Sequence, residues 1–255
     1  MALEIFQFPC LDDNYGYLIH DNLLDQTATI DTPDADAITL ALDQKGWQLT
    51  HIFNTHHHSD HVDGNLELKD KANCKVVGSK RDQDRIPGID ICISDNEEFL
   101  FGEHRIIVQE TSGHTIGHIV YHLVDQQIAF VGDTLFSLGC GRIFEGSPDQ
   151  MWGSLQKIMQ WPDDTKLYCS HEYTQSNSVF ALSIEPENKQ LQERVVEVNH
   201  LRAQGLATIP TTVRLEKATN PFLRPDSQEI QQNLKMLGKP SNQIFAKIRE
   251  LKDSF

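Results

Sequence analysis

Short apolar runs, rich in β-branched and aromatic residues, punctuate the first two-thirds of the chain. They fall at Leu3–Phe8, Gly16–Ile19, Ala28–Ile30, His51–Phe53, Cys74–Val77, Arg105–Val108, Ile119–Leu123, Ile128–Val131 and Leu167–Cys169. Runs of this length, bounded by polar and turn-forming residues, read as strands. Helix-period patterns stand between some of them, over Ala35–Leu42 and Met151–Met159. Strands and helices mixed in this way predict a layered α/β or α+β sandwich. After Tyr173 the texture becomes helical. Leu191, Val195 and Val198 recur at i, i+4, i+7, as do Ile230, Leu234 and Leu237, and again Ile244, Ile248 and Leu251. Asp226 and Ser241 are the expected N-caps of the last two, and Pro210, Pro221, Pro225 and Pro240 cut the tail into pieces. No internal repeat or low-complexity segment interrupts the pattern.

Composition narrows the class. A 255-residue chain with 39% hydrophobic and 23% charged residues is that of a globular protein with a sizeable core. No apolar run approaches the roughly 18 residues that a membrane span requires. The start, M-A-L-E-I-F-Q-F-P-C, has neither a basic n-region nor a long apolar stretch, so no secretory signal is read there. Cys10, Cys74, Cys92, Cys140 and Cys169 are odd in number, scattered, and form no C-x-x-C pair. That argues against a disulfide framework and against a cysteine metal site, and points to a reducing cytoplasm.

The net charge of −15 is unevenly spread. Residues 1–172 carry 11 Lys+Arg against 28 Asp+Glu, whereas residues 173–255 carry 11 against 9. An acidic chain without a basic stripe is a poor partner for nucleic acid. The change in balance also marks a boundary between residues 172 and 173.

The chemistry concentrates in N-T-H-H-H-S-D-H-V-D-G-N, Asn54 to Asn65. His56 and His58 follow the predicted strand His51–Phe53 at a spacing of two, which in extended chain puts both imidazoles on one side. His57 then points the other way. Asp60 and His61 come after one more residue, so a turn there aims them past the first ion; H-x-H-x-D-H suits two metals side by side. Three β-prone runs elsewhere end in polar residues: His114 follows one in Q-E-T-S-G-H-T, Asp133 another in V-G-D-T, and His171 a third in C-S-H-E-Y. Loops at one edge of a sheet converge in space. The count gives His56, His58 and His114 to one ion and Asp60, His61 and His171 to the other, with the two oxygens of Asp133 bridging them.

H-x-H-x-D-H followed by G-H-T, G-D-T and a late His resembles the metallo-β-lactamase superfamily. Within it the chain is similar to glyoxalase II, the hydroxyacylglutathione hydrolases. The resemblance extends through D-N-Y (Asp13–Tyr15), G-D-T-L-F (Gly132–Phe136), G-C-G-R (Gly139–Arg142), H-E-Y-T (His171–Thr174), N-P-F (Asn220–Phe222) and R-E-L-K-D (Arg249–Asp253). It implies a four-layer αβ/βα sandwich of α+β class over residues 1–172, with a helical substrate-binding domain over residues 173–255. It implies two divalent ions per chain, zinc first and iron or manganese as alternatives, and hydrolysis of S-D-lactoylglutathione to D-lactate and glutathione by a cytoplasmic monomer. In that family Asp60 is catalytic, binding metal and orienting the nucleophile. Arg142, Tyr173, Arg249 and Lys252 are the implied glutathione contacts. Arg142 stands where relatives carry Lys, and Phe144 where some carry Tyr, which predicts weaker glutathione binding.

Bland readings remain beside these. His118 and His57 are expected to pack or support rather than ligate, and Cys140 and Cys169 to be inert. Cations near a helix C-terminus, such as Arg249 and Lys252, are favourable through the helix dipole alone. Rival functions are a lactonase or β-lactamase on the same metals, a mononuclear iron dioxygenase, a nuclease, and a metal-binding module without activity. The complete second ligand set opposes the dioxygenase and the inactive module, and the charge opposes the nuclease.

Overall fold

The computed structural model describes residues 3–255. Chain contacts divide it into two compact units, Met1–Glu110 with Ile116–Gly132, and Thr111–Thr115 with Asp133–Phe255.

In the first unit β1 (Glu4–Cys10), β2 (Asn14–Asp21) and β3 (Gln26–Ile30) form an antiparallel meander. β4 (Leu49–Phe53), β5 (Lys75–Ser79) and β6 (Ile91–Ile93) extend it in parallel. Parallel pairing requires crossovers, and α1 (Ala35–Lys45) supplies the first. Its N-cap Asp34 accepts from the amides of Asp36 and Ala37, and Gly46 closes it at φ +68°. α2 (Ser59–Val62) and α3 (Asn65–Ala72) lie between β4 and β5. Ile38 and Leu42 of α1 and Leu68 of α3 pack with Leu18, Ile52 and Val76 of the sheet in one buried cluster. β7 (Glu98–Phe101), β8 (His104–Glu110), β9 (Ile119–Leu123) and β10 (Ile128–Gly132) form an antiparallel ladder. All five residues of β9 are buried, as are all five of β10, which is why both read as continuous apolar runs rather than alternating ones. Phe53 of β4 stacks on Tyr121 of β9 with ring centroids 5.4 Å apart.

The second unit holds the hairpin β11 (Leu135–Phe136)/β12 (Gly139–Cys140), the helix α4 (Pro148–Met159) and the pair β13 (Lys166–Cys169)/β14 (Thr211–Thr212). Its other helices are α5 (Thr174–Ile184), α6 (Lys189–Ala203), α7 (Val213–Thr219), α8 (Gln228–Asn233) and α9 (Ser241–Asp253). Ser147 and Gln150 form a capping box at the start of α4. Arg194 and Glu216 make a buried ion pair. Arg194 also donates to Ser137 and Thr211, while Glu216 accepts from the Leu138 amide and Asn220. A buried pair with its remaining donors and acceptors satisfied is the arrangement that offsets desolvation, and it clamps the β11–β12 turn, where Leu138 has φ +60°.

Within the second unit β13 pairs with β14 across residues 172/173. Several helical expectations need correcting. The Ile230–Leu237 pattern does not form one helix: α8 ends at Asn233, Lys235 has φ +57°, and Leu237 is exposed. The cap of α8 is Ser227, not Asp226. Ser241 lies inside α9, whose N-cap is Pro240, and donates its hydroxyl to Asp226 instead.

Candidate metal centre

β4 delivers the histidine-rich loop, and Asn54 locks its first turn. The Asn54 amide donates to Val77 O (2.9 Å), its side chain to His61 O (2.9 Å), and its carbonyl accepts from Tyr121 (2.8 Å). Asp31, at the end of β3, is a second anchor. Its carboxylate accepts from the Thr55 amide (2.7 Å) and the Thr55 hydroxyl (2.8 Å), and lies 2.8 Å from His61 Nδ1. A carboxylate facing Nδ1 fixes the ring and its tautomer, leaving Nε2 as the lone-pair nitrogen.

His56 Nε2 and His58 Nδ1 lie 3.0 Å apart. Two imidazoles on one tetrahedral ion at 2.0–2.1 Å have nitrogens about 3.3 Å apart, so the separation fits a shared cation. His57 turns away, with Nδ1 3.2 Å from the fully buried Asp82, which also takes an ion pair from Arg85. His118 stacks on His56, ring centroids 4.9 Å apart. Asp60 is partly exposed, with Oδ2 3.3 Å from His61 Nε2. Asn14, itself buried, donates to that same oxygen (3.2 Å) and to the Asp60 carbonyl (3.4 Å).

His114, Asp133 and His171 are all buried. His114 Nδ1 donates to Arg142 O (2.8 Å), which again leaves Nε2 for a cation. Asp133 turns one oxygen to each imidazole: Oδ2 lies 3.5 Å from His114 Nε2, and Oδ1 3.5 Å from His171 Nε2. A Cβ on Gly141 would sit 1.9 Å from the Asp133 carbonyl oxygen, so only glycine permits this approach.

Among the described residues, three groups of donors have their ligand atoms within 4.8 Å of one another: His56, His58 and His114; His56, His61 and Asp133; Asp60, His61 and His171. All seven expected ligands are in them, and His57 and His118 are in none. Nitrogen and carboxylate donors with their outer nitrogens held by carboxylates or carbonyls suit a divalent ion.

The expected substrate contacts are placed as follows. Arg249 and Lys252 lie on α9, Arg249 buried and Lys252 half-buried over the rings of Phe180 and Phe255. Burial, and then the neighbouring Arg249, lower the Lys252 pKa. Arg249 donates to Cys140 O (2.8 Å). Arg142 is exposed and pairs with Asp253 (3.3 Å). The Tyr173 ring stacks on His171, centroids 4.7 Å apart and 2° from parallel. Phe144 is 60% exposed and meets His114 edge-on. Burial pushes the thiols of Cys140 and Cys169 up to about 11 and about 12, which suits packing rather than nucleophilic use.

Asp31, Asn14, Asp82 and Asp253 are supporting residues that sequence reasoning did not single out. Asp31 carried a usable signal, since it ends a β-prone run just as Asp133 does. Asn14 and Asp253 lie inside the quoted D-N-Y and R-E-L-K-D motifs, and Asp82 carries no sequence signal.

The family model described as metallo-beta-lactamase superfamily matches residues 30–171, and that described as hydroxyacylglutathione hydrolase C-terminus matches residues 172–255. A hydroxyacylglutathione hydrolase of Maricaulis maris is 52% identical over 253 residues, covering 99% of both chains. Its counterpart in Methylococcus capsulatus is 51% identical over the same length and coverage. Of solved structures, ETHE1 from Myxococcus xanthus aligns at TM-score 0.67 and 25% identity, over 99% of this chain and 98% of its own. The B3 metallo-beta-lactamase BLEG-1 aligns at TM-score 0.67 and 19% identity, over 87% of this chain and all of its own.

Proposed function

Because the chain belongs to the hydroxyacylglutathione hydrolase family, with the α+β fold of the metallo-β-lactamase superfamily, we propose that it hydrolyses S-D-lactoylglutathione to D-lactate and glutathione. The full-length likeness to relatives of that name carries this reading. The donor groups are those of a divalent-metal site, and we assign two ions, zinc first: His56, His58 and His114 hold one, Asp60, His61 and His171 the other, and Asp133 gives an oxygen to each. When bound, such ions supply an activated water at neutral pH and polarise the carbonyl oxygen under attack.

The chain's own residues set the rest. Asp31 and the Arg142 carbonyl fix two imidazole tautomers. Asn14 fixes the Asp60 carboxylate, which orients the attacking water at the thioester carbon. The departing thiolate has a pKa near 8.5 and needs no acid. Arg142, Arg249, Lys252 and the Tyr173 hydroxyl receive the carboxylates and backbone of glutathione. Three of the four lie in residues 173–255, which act as the substrate-binding part, while residues 1–172 act as the catalytic one and add Arg142 to the ligand's site. No helix among the described residues is long and apolar enough to cross a membrane. A cytoplasmic monomer acting on a small thioester, without nucleic acid or membrane, completes the proposal.

The test is thioester loss from lactoylglutathione, measured with and without chelator beside a lactone and a β-lactam. Chelator-sensitive turnover of the thioester alone is expected. Turnover of only the lactone or the lactam by the metal-loaded protein assigns the chain to the rival hydrolases.

A further inference from the structure

Two of the cations proposed for glutathione are held by one carboxylate. Asp253 Oδ1 lies 3.3 Å from Arg142 Nε and 3.0 Å from Arg249 Nη2. Two guanidiniums brought to one ligand repel each other, and an anion between them removes that repulsion while fixing both forks. Each arginine is also tied to the chain near the donor groups. Arg249 Nη1 donates to Cys140 O (2.8 Å), and the Arg142 carbonyl accepts from His114 Nδ1 (2.8 Å). A continuous line of hydrogen bonds and ion pairs therefore runs from His114 through Arg142 and Asp253 to Arg249. Asp253 is 41% exposed on the last turn of α9.

We propose that Asp253 is a positioning residue that determines specificity: it spaces the cation pair from His114 so that a thioester is bound productively when its thiol arm carries carboxylates at glutathione's reach. The proposal rests on the glutathione reading above. The alternative physics is competition, in which the Asp253 carboxylate occupies the place that a substrate carboxylate must take. The two differ in sign.

The experiment compares wild type, Asp253→Asn and Asp253→Ser on lactoylglutathione and on S-lactoyl-N-acetylcysteamine, a thioester without carboxylates. Calorimetric binding of glutathione itself and thermal melts accompany the kinetics. Positioning predicts a KM for lactoylglutathione raised about two- to fivefold, the size of a lost ion pair at a half-exposed site. It also predicts kcat little changed, glutathione bound more weakly by the same factor, and the cysteamine thioester unaffected. Asp253→Glu recovers part of the loss. A KM that falls in Asp253→Asn overturns the proposal in favour of competition. Equal losses on both thioesters, or a loss that tracks the melting temperature, overturn it in favour of a merely structural role. A wild type that shows no preference for lactoylglutathione overturns the glutathione reading itself, whatever the variants do.

Discussion

Asp31→Asn perturbs the donor set without touching a donor. In the native protein one buried carboxylate serves three partners, the Thr55 amide, the Thr55 hydroxyl and His61 Nδ1. An asparagine can keep its oxygen on the Thr55 amide, but its NH2 group then faces the donor on His61. One buried donor left without an acceptor costs about 1–3 kcal/mol. In a chain of this size that lowers the melting temperature of the metal-free protein by about 2–12 °C. The larger effect concerns binding, because removing a carboxylate behind a ligating imidazole typically weakens metal affinity about 10–100-fold. Under the proposed assignment His61 holds the second ion, so the loss is expected on one of two equivalents. Competition against a chromogenic chelator resolves the two, and a melt of the chelated protein isolates the stability term. Binding of both equivalents with wild-type affinity by a folded Asp31→Asn protein refutes the reasoning.

Three further predictions concern residues that belong to none of the donor groups. His122 is buried, and desolvation lowers its pKa from 6.5 to about 4. The unfolded chain takes up that proton first, so the stability linked to His122 is complete above pH 6.5 and lost as pH falls toward about 4. At full size this is on the order of 3 kcal/mol; His122→Leu should therefore flatten the fall in melting temperature between pH 7 and about pH 5, and an unchanged fall contradicts the assignment. His57 lies outside every donor group and faces Asp82, so His57→Gln should retain the full metal content by elemental analysis, and loss of one equivalent would place His57 among the ligands. Phe144→Tyr adds a hydroxyl and should lower the KM for lactoylglutathione about twofold to fivefold, the value of one exposed hydrogen bond; an unchanged KM contradicts the weaker binding predicted from Phe144.

Strands buried on both faces were legible because burial writes a continuous apolar run, as in Ile119–Leu123. β6 and β7 were not, since Ile91, Glu98 and Leu100 face outward and leave no pattern to read. α3 was missed for a similar reason: Leu68 is its one buried apolar anchor and Leu66 is exposed. The Ile230–Leu237 periodicity misled because a spacing of i, i+4, i+7 does not show that Lys235 adopts a left-handed backbone. At the site, the spacing of His56, His58, Asp60 and His61 carried its own meaning. The groups that orient those donors come from elsewhere in the chain: Asn14 reaches Asp60 across 46 residues, and Asp31 reaches His61 across 30. Sequence spacing records ligands that share a loop; it does not record the acceptor behind each imidazole.

The central claim is a two-metal thioester hydrolase, and titration tests it most directly. Chelator-stripped protein is titrated with zinc while lactoylglutathione turnover and bound metal are followed together. Activity should rise from near zero and reach its plateau at two equivalents per chain. A plateau at one equivalent, or turnover in the stripped protein, contradicts the paired site.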